Sequence, residues 1–306
     1  LKIVLLDYDI LCPKTLILAL EKNNIKTIAT QERFIHTFYS SYATVIVDTY
    51  FTNSEYTANL IKKSKYYDVK NLIPVGKYRA DYLSLFRKKI VPKEISEARQ
   101  NGKKILVFLG YHSPKYWYDS YVSLFTNWSS QISLLEDVVR FSKCLENTFI
   151  IVRYKNLDWP LKTENCFKDI LNKINNCKNI IISENYKESL YSYKLCANAD
   201  LVIAKHTSIA DECLSNEIPV LFYDYAHNTR RVTSDVFNYL SSGLMCCDFE
   251  ELLEKSKSLL FNSSSKLKND INKLNKTIYY VKEKQDVKKK ILMNLENYLI
   301  KNNISI

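Results

Sequence analysis

Glycine is nearly missing from this chain, with four in 306 residues. A glycine-rich phosphate loop needs several of them together, and neither a GxGxxG nor a Walker A sequence occurs. No apolar run approaches the ~20 residues that cross a bilayer. The N-terminus does not show the basic, apolar and small-residue order of a secretory signal. Eight cysteines (Cys12, Cys144, Cys166, Cys177, Cys196, Cys213, Cys246, Cys247) form no CxxC or CxxH pair. Several sit in apolar helix or strand contexts, which predicts reduced thiols of a cytoplasmic protein rather than disulfides or a zinc site. No metal-ligand cluster is visible, so neither a metal nor a cofactor is expected. Sequences of the RNP, helix-turn-helix and zinc-finger kinds are absent and the lysines are dispersed except near the end, which argues against nucleic acid.

What is present is a chain long enough for about two domains, 46% hydrophobic, with a formal net charge of +11. The charge predicts an anionic partner: a nucleotide, a membrane surface or nucleic acid, and by itself does not choose among them. The stretch Ala197–Tyr225 organises the rest. Leu201-Val202-Ile203-Ala204 has the continuous apolar character of a buried strand, and His206-Thr207-Ser208 brings hydroxyls to the start of a helix with Ile209, Cys213 and Leu214 on one face. Asn216 and Pro219 end that helix before the strand Val220-Leu221-Phe222-Tyr223. Unpaired N–H groups and a partial positive charge make the Thr207/Ser208 helix start a seat for a phosphate. An ordinary capped helix reads the same way.

Strands and helices alternate along the whole chain, which predicts parallel, doubly wound sheets. Strands are expected at Lys2–Leu6, Ile25–Ala29, Ala43–Val47 and Asn71–Val75, then at Ile105–Leu109, Thr148–Val152 and Asn179–Ile182. The charged segment Arg87–Lys104 marks a boundary, giving domains over 1–90 and 91–262 and a basic helical segment over 263–306. Ligands of open α/β sheets gather at the C-terminal ends of strands. Those ends offer Gln31 and Glu32 after the second strand, His112 after Leu109, and Arg153 and Lys155 after Val152. Glu32 is a candidate catalytic carboxylate there, or a surface partner of Arg33. The last segment is a lysine-rich helix with apolar positions such as Ile291, Leu292 and Leu295. It either lies on an anionic membrane or packs by its apolar side.

A family resemblance rests on these residues. A strand ending Arg153-Tyr154-Lys155, then Asn198-Ala199-Asp200, then Thr207-Ser208, then Pro219-Val220-Leu221-Phe222-Tyr223-Asp224 resembles the nucleotide-binding domain of GT-B glycosyltransferases. The closest pattern is that of enzymes building bacterial capsules, lipopolysaccharide and teichoic acids. Gln31-Glu32-Arg33-Phe34 is similar to an acceptor-side motif of such transferases, including the Kdo type, and Val75-Gly76-Lys77-Tyr78-Arg79-Ala80-Asp81 resembles the end of their N-terminal domain. The resemblance implies an α/β fold: two Rossmann-like doubly wound domains facing across a cleft (GT-B), the N-terminal one incomplete. The glycine usual beside the phosphate is replaced by Lys205-His206-Thr207-Ser208.

The implied activity is metal-independent transfer of a sugar from a nucleotide-sugar donor (CMP-Kdo-like, CDP- or UDP-linked). The acceptor is a glycan or lipid-linked molecule at the inner face of the cytoplasmic membrane. Arg153, Lys155, His206, Thr207, Ser208 and Glu212 are the implied donor-binding residues, with Glu212 on the ribose or else facing solvent. Glu32 is the implied catalytic base or nucleophile, and Gln31 and His112 the acceptor-side residues. A CDP-linked glycerol- or polyol-phosphate transferase, a nucleotide-sugar 2-epimerase and a non-catalytic anion-binding protein are the alternatives.

Overall fold

The structure, a computed structural model, describes residues 1–6, 12–31, 45–64, 68–87, 89–110, 127–154, 165–183, 185, 188, 190–205, 207–227, 243–262, 266–281 and 287–301. The chain divides into two compact units: Leu1–Asp81 together with Lys273–Ile306, and Tyr82–Asn272. The basic segment that begins at 263 in the sequence pattern is thus shared out, and its last helix belongs with the first strands.

Unit 1 holds β1 (Ile3–Leu6), α1 (Lys14–Lys22), β2 (Lys26–Thr30), β3 (Ile46–Thr52), α2 (Glu55–Ser64) and β4 (Asp68–Pro74). Its sheet runs β1-β2-β3-β4, every pair parallel. Side chains alternate across the pleat, so neighbouring residues feed opposite faces. Ala29 and its register partner Tyr50 join Ile17 of α1 and Ile61 of α2 on one face. Ile28, Phe51 and Val75 meet Val287, Ile291, Leu295 and Tyr298 of the helix Val287–Lys301 on the other. Covering both faces is what an all-parallel sheet requires.

The third strand departs from the sequence pattern, which ends it at Val47; it begins at Ile46 and continues to Thr52. The reason is Asp48, which reads as a strand end yet lies 6% exposed inside the ladder. Its Oδ2 accepts from the Thr27 N–H (2.9 Å) and hydroxyl (3.2 Å). Its Oδ1 accepts from Lys70 Nζ at 2.8 Å and Lys26 Nζ at 3.4 Å. Burial by itself raises the Asp48 carboxyl. The hydrogen bonds from Lys70 and Thr27, with the charges of Lys26 and Lys70, outweigh it and hold the group below the usual carboxylate range.

Unit 2 begins within α3 (Asp81–Phe86) and continues through α4 (Lys93–Gln100), β5 (Lys104–Leu109), α5 (Trp128–Cys144), β6 (Thr148–Arg153), α6 (Lys168–Asn175) and β7 (Ile180–Ile182). It goes on with α7 (Tyr191–Ala197), β8 (Leu201–Ala204), α8 (Ser208–Ser215), β9 (Val220–Tyr223), β10 (Met245–Cys246) and α9 (Phe249–Phe261). The division between units then falls inside α10 (Lys266–Thr277), and the helix Val287–Lys301 is α11. The six strands are parallel in the order β10-β9-β8-β5-β6-β7.

The charged stretch that reads as a linker contains α4, which turns Ile95 and Ala98 inward. Arg99 Nη2 donates to the Asn198 carbonyl at 2.7 Å, and Asn198 Nδ2 donates to the Ile90 carbonyl at 3.0 Å. That stretch is therefore part of unit 2. Helix α5 starts at Trp128, where Asn127 and Ser130 exchange side-chain and backbone bonds in a capping box. Phe141 of α5 packs edge-on between Phe108 of β5 and Phe249 of α9.

Two outcomes follow. Asp48→Asn lowers the stability of the chain by about 1–3 kcal/mol at neutral pH, read by urea unfolding. The folded carboxyl titrates below its reference of 3.8. Its stabilisation is therefore present above that pH and lost as pH falls through the folded value, so the variant's stability depends less on acid than the parent's. Gly110→Ala would set a Cβ 2.1 Å from the ring of Tyr154, itself 1% exposed. The substitution costs about 1–3 kcal/mol, and Tyr154→Leu in the same chain makes the combined loss smaller than the sum of the two.

Candidate functional site

The strand order of unit 2 reverses direction at one place. From β5 the chain steps outward to β6 and β7, then returns to lay β8 on the opposite side of β5 before moving on to β9 and β10. Helices following the two adjacent central strands leave on opposite faces, so a crevice opens beyond their C-terminal ends. The described residues there are Gly110 after β5 and Lys205, Thr207 and Ser208 after β8. Register aligns Leu109 with Arg153 on one side and with Ala204 on the other, so the ends of β5, β6 and β8 lie side by side.

The turn after β8 is built to start a helix. Thr207 is extended (φ −156°, ψ 149°) and its hydroxyl accepts the Ile209 N–H at 3.2 Å. The Ala210 N–H bonds the Thr207 carbonyl at 3.0 Å, closing the first turn. Thr207 and Ser208 are half-buried. The helix dipole and first-turn N–H groups of α8 thus point into the switch-point crevice, an anion-favouring arrangement. Gly110 lets backbone, rather than side chain, line the facing strand end: its N–H donates to the Arg153 carbonyl at 2.8 Å, and Tyr154 fills the space a Cβ would take.

Beneath this edge lie charges almost shut off from water. Lys205 is 3% exposed and Asp224, at the end of β9, is likewise buried. Lys205 Nζ donates to Asp224 Oδ1 and stands 5.6 Å over the ring of Tyr225. Gln131 Nε2, in the first turn of α5, donates to the Tyr225 hydroxyl at 3.1 Å. Burial lowers the Lys205 ammonium below its ordinary value, and Asp224 offsets only part of that. A buried pair of this kind adds little net stability, while loss of one partner leaves an uncompensated charge. Perturbed charges at a strand-end crevice are a usual mark of a functional site.

The sequence-based site residues fall as follows. Arg153, Thr207, Ser208 and Glu212 all belong to unit 2, and Gln31 to unit 1. Arg153 is 5% exposed, and its guanidinium donates to Ser192 Oγ at 3.1 Å and Ser183 Oγ at 3.4 Å while lying 5.6 Å from the Tyr191 ring. In this position it ties β6 to the end of β7 and to α7. Glu212 is 2% exposed, which corrects the solvent-facing alternative: α8 buries Ala210 through Leu214 without a break. Gln31 is buried at the end of β2, and its Oε1 accepts the Asn53 N–H at 2.8 Å. Glu32, His112, Lys155 and His206 lie outside the described residues.

Sequence reasoning passed over Lys205, Asp224, Tyr225 and Gln131. A signal existed for the first two: a lysine where a glycine is usual, and the Tyr-Asp that ends the β9 pattern. Gln131 carried none, since a glutamine in the first turn of a helix looks like a surface residue until α5 is packed. Among the described residues no group of His, Cys, Asp and Glu could hold a metal ion, and no helix is long and apolar enough to cross a membrane.

No protein-family model matches the sequence, and no curated protein matches it. Solved structures do match in fold. The S. aureus MnaA–UDP co-structure is 12% identical, with 99% of this chain and 77% of that chain covered at a TM-score of 0.64. UDP-GlcNAc 2-epimerase from Neisseria meningitidis bound to UDP-GlcNAc is 14% identical, covering 96% and 76% at a TM-score of 0.61. The wall teichoic acid polymerase TagF is 14% identical, covering 94% and 71% at a TM-score of 0.57. At such identities the likeness concerns architecture alone, and the chain has the GT-B fold.

Proposed function

We propose that the protein is a nucleotide-dependent enzyme of bacterial cell-surface glycan synthesis, a transferase that moves a sugar from a nucleotide-activated donor to a glycan or lipid-linked acceptor. The observation that carries this reading is the capped N-terminus of α8 at the reversal point of the unit 2 sheet, faced by Gly110. A donor's phosphates fit that helix start, with Thr207 and Ser208 beside them and Lys155 and His206 as further cations. Glu212 is the ribose-side residue. Arg153 acts through Ser183 and Ser192 as a positioning residue for the neighbouring strand ends.

Charge grows on the departing phosphate as the sugar leaves, and fixed N–H groups and cations stabilise it without reorganisation. Glu32 takes the proton of the acceptor hydroxyl, or attacks the sugar itself if configuration is retained. Gln31 and His112 are assigned to the acceptor side. The structures of similar fold are named for UDP, UDP-GlcNAc and, for the teichoic acid polymerase TagF, CDPG, which supports a UDP- or CDP-linked donor ahead of the CMP-Kdo type. The same names support one second reading, epimerisation of a nucleotide-sugar at C2, which needs no acceptor.

A thermal-shift panel of UDP, CDP, CMP and GDP tests the site. A nucleotide at about 100 times its dissociation constant adds roughly 2.7 kcal/mol of stability, and Ser208→Ala weakens that nucleotide by about tenfold. No shift with any nucleotide would refute the assignment. Product analysis with the stabilising nucleotide's sugar conjugate then separates the two chemistries. Sugar appearing only on an added acceptor supports transfer, and conversion of the free donor supports epimerisation. Glu32→Gln abolishes transfer while leaving the thermal shift intact; retained turnover removes Glu32 from the catalytic role.

A further inference from the structure

Helix α11 carries two apolar stripes, and unit 1 uses only one. Val287, Ile291, Leu295 and Tyr298 are packed against Ile28, Phe51 and Val75. Leu292, Met293 and Ile300 are 51%, 45% and 74% exposed. At about 100° per residue these three fall within an arc of roughly 100° on the side away from the packed stripe. Lysines flank them, Lys288, Lys289 and Lys290 at the start of the helix and Lys301 at its end, and the helix's one acid, Glu296, lies exposed within the same arc.

We propose that this outward face of α11 rests on an anionic bilayer surface. Lysines near such a surface are drawn by its negative potential, and apolar side chains of this length reach the boundary between headgroups and acyl chains. The strength of such a contact scales with the apolar area buried plus the attraction to anionic lipid. The pattern fits lipid better than other partners. Nucleic acid would match the lysines but leave three large apolar side chains with nothing to contact. A second copy of the same face would bring lysines against lysines. The overall charge of +11 has the sign that an anionic membrane attracts. The buried stripe fixes the helix before any membrane is met, so attachment requires no folding step and loses less entropy than ordering a free peptide. The proposal stands apart from the chemistry assigned to unit 2.

The test is sedimentation of the full chain with vesicles of phosphatidylcholine alone or mixed with phosphatidylglycerol. The expected result is retention on the phosphatidylglycerol vesicles only, weakening as salt is raised. The triple variant Leu292→Ser, Met293→Ser, Ile300→Ser lowers the apparent affinity about tenfold, as does Lys288→Gln with Lys301→Gln. Unchanged circular dichroism and melting would show that these exposed substitutions leave the fold intact. Failure of the parent chain to bind the anionic vesicles overturns the proposal. So does loss confined to the lysine variant with the triple-serine variant unaffected, a result that leaves charge alone holding the chain to the vesicle and the apolar face without a role.

Discussion

An all-parallel sheet cannot leave a face in water, and most of this structure answers that requirement. Its strands are joined by crossovers, and the crossovers place helices on the faces. In unit 1, α1 and α2 cover one side through Ile17 and Ile61, and the other is covered by α11 from the far end of the sequence. The apolar stripe of that lysine-rich helix is therefore a packing feature first. In unit 2 the same requirement fills β5, β6 and β8 with residues such as Ile105, Leu106, Ile150, Ile151, Val202 and Ile203, all at or near zero exposure. The backbone polar groups of each strand are then spent within the ladder. Chemistry is left to the strand ends, where the ladder stops and helices begin.

Charges follow the same division. Asp48 is buried mid-strand and satisfied on every side by Thr27, Lys26 and Lys70, which makes it a register pin between β2, β3 and β4. Arg153 and the Lys205–Asp224 pair are buried at strand ends instead, beside the start of α8. A charge in the first position serves the fold, because moving the register by one residue would turn it to the other face. Charges in the second position serve the edge: they orient Ser183, Ser192 and Tyr225, and so shape the rim beside Thr207 and Ser208.

Much of this was legible in the sequence for simple reasons. Continuous apolar runs of four such as Leu201–Ala204 and Val220–Tyr223, β-branched and aromatic and bounded by turn residues, read as strands buried on both faces, and both lie where the pattern puts them. The Thr207 cap was readable because a hydroxyl before an apolar helix has few other uses. Errors arose where tertiary partners reverse a residue's usual preference. Asp48 reads as a strand end until two lysines and a threonine from neighbouring strands surround it. The stretch 87–104 reads as a domain boundary, and Ile95 and Ala98 within it are turned into unit 2. For Glu212 the sequence left a ribose contact and a solvent-facing position open, and burial of α8 along five consecutive positions removes only the second.

Local pattern, then, determined the alternation of strands and helices, their parallel pairing and the position of the helix start that faces the switch point. Each follows from period, capping and crossover rules that act over a few residues. Which faces meet was decided only in three dimensions. The return of α11 to unit 1, the pairing of Lys205 with Asp224 and the burial of Arg153 all join residues distant in sequence. No local preference encodes such contacts. They exist because burying apolar faces brings those residues together, and charges drawn inside with them must be paired there.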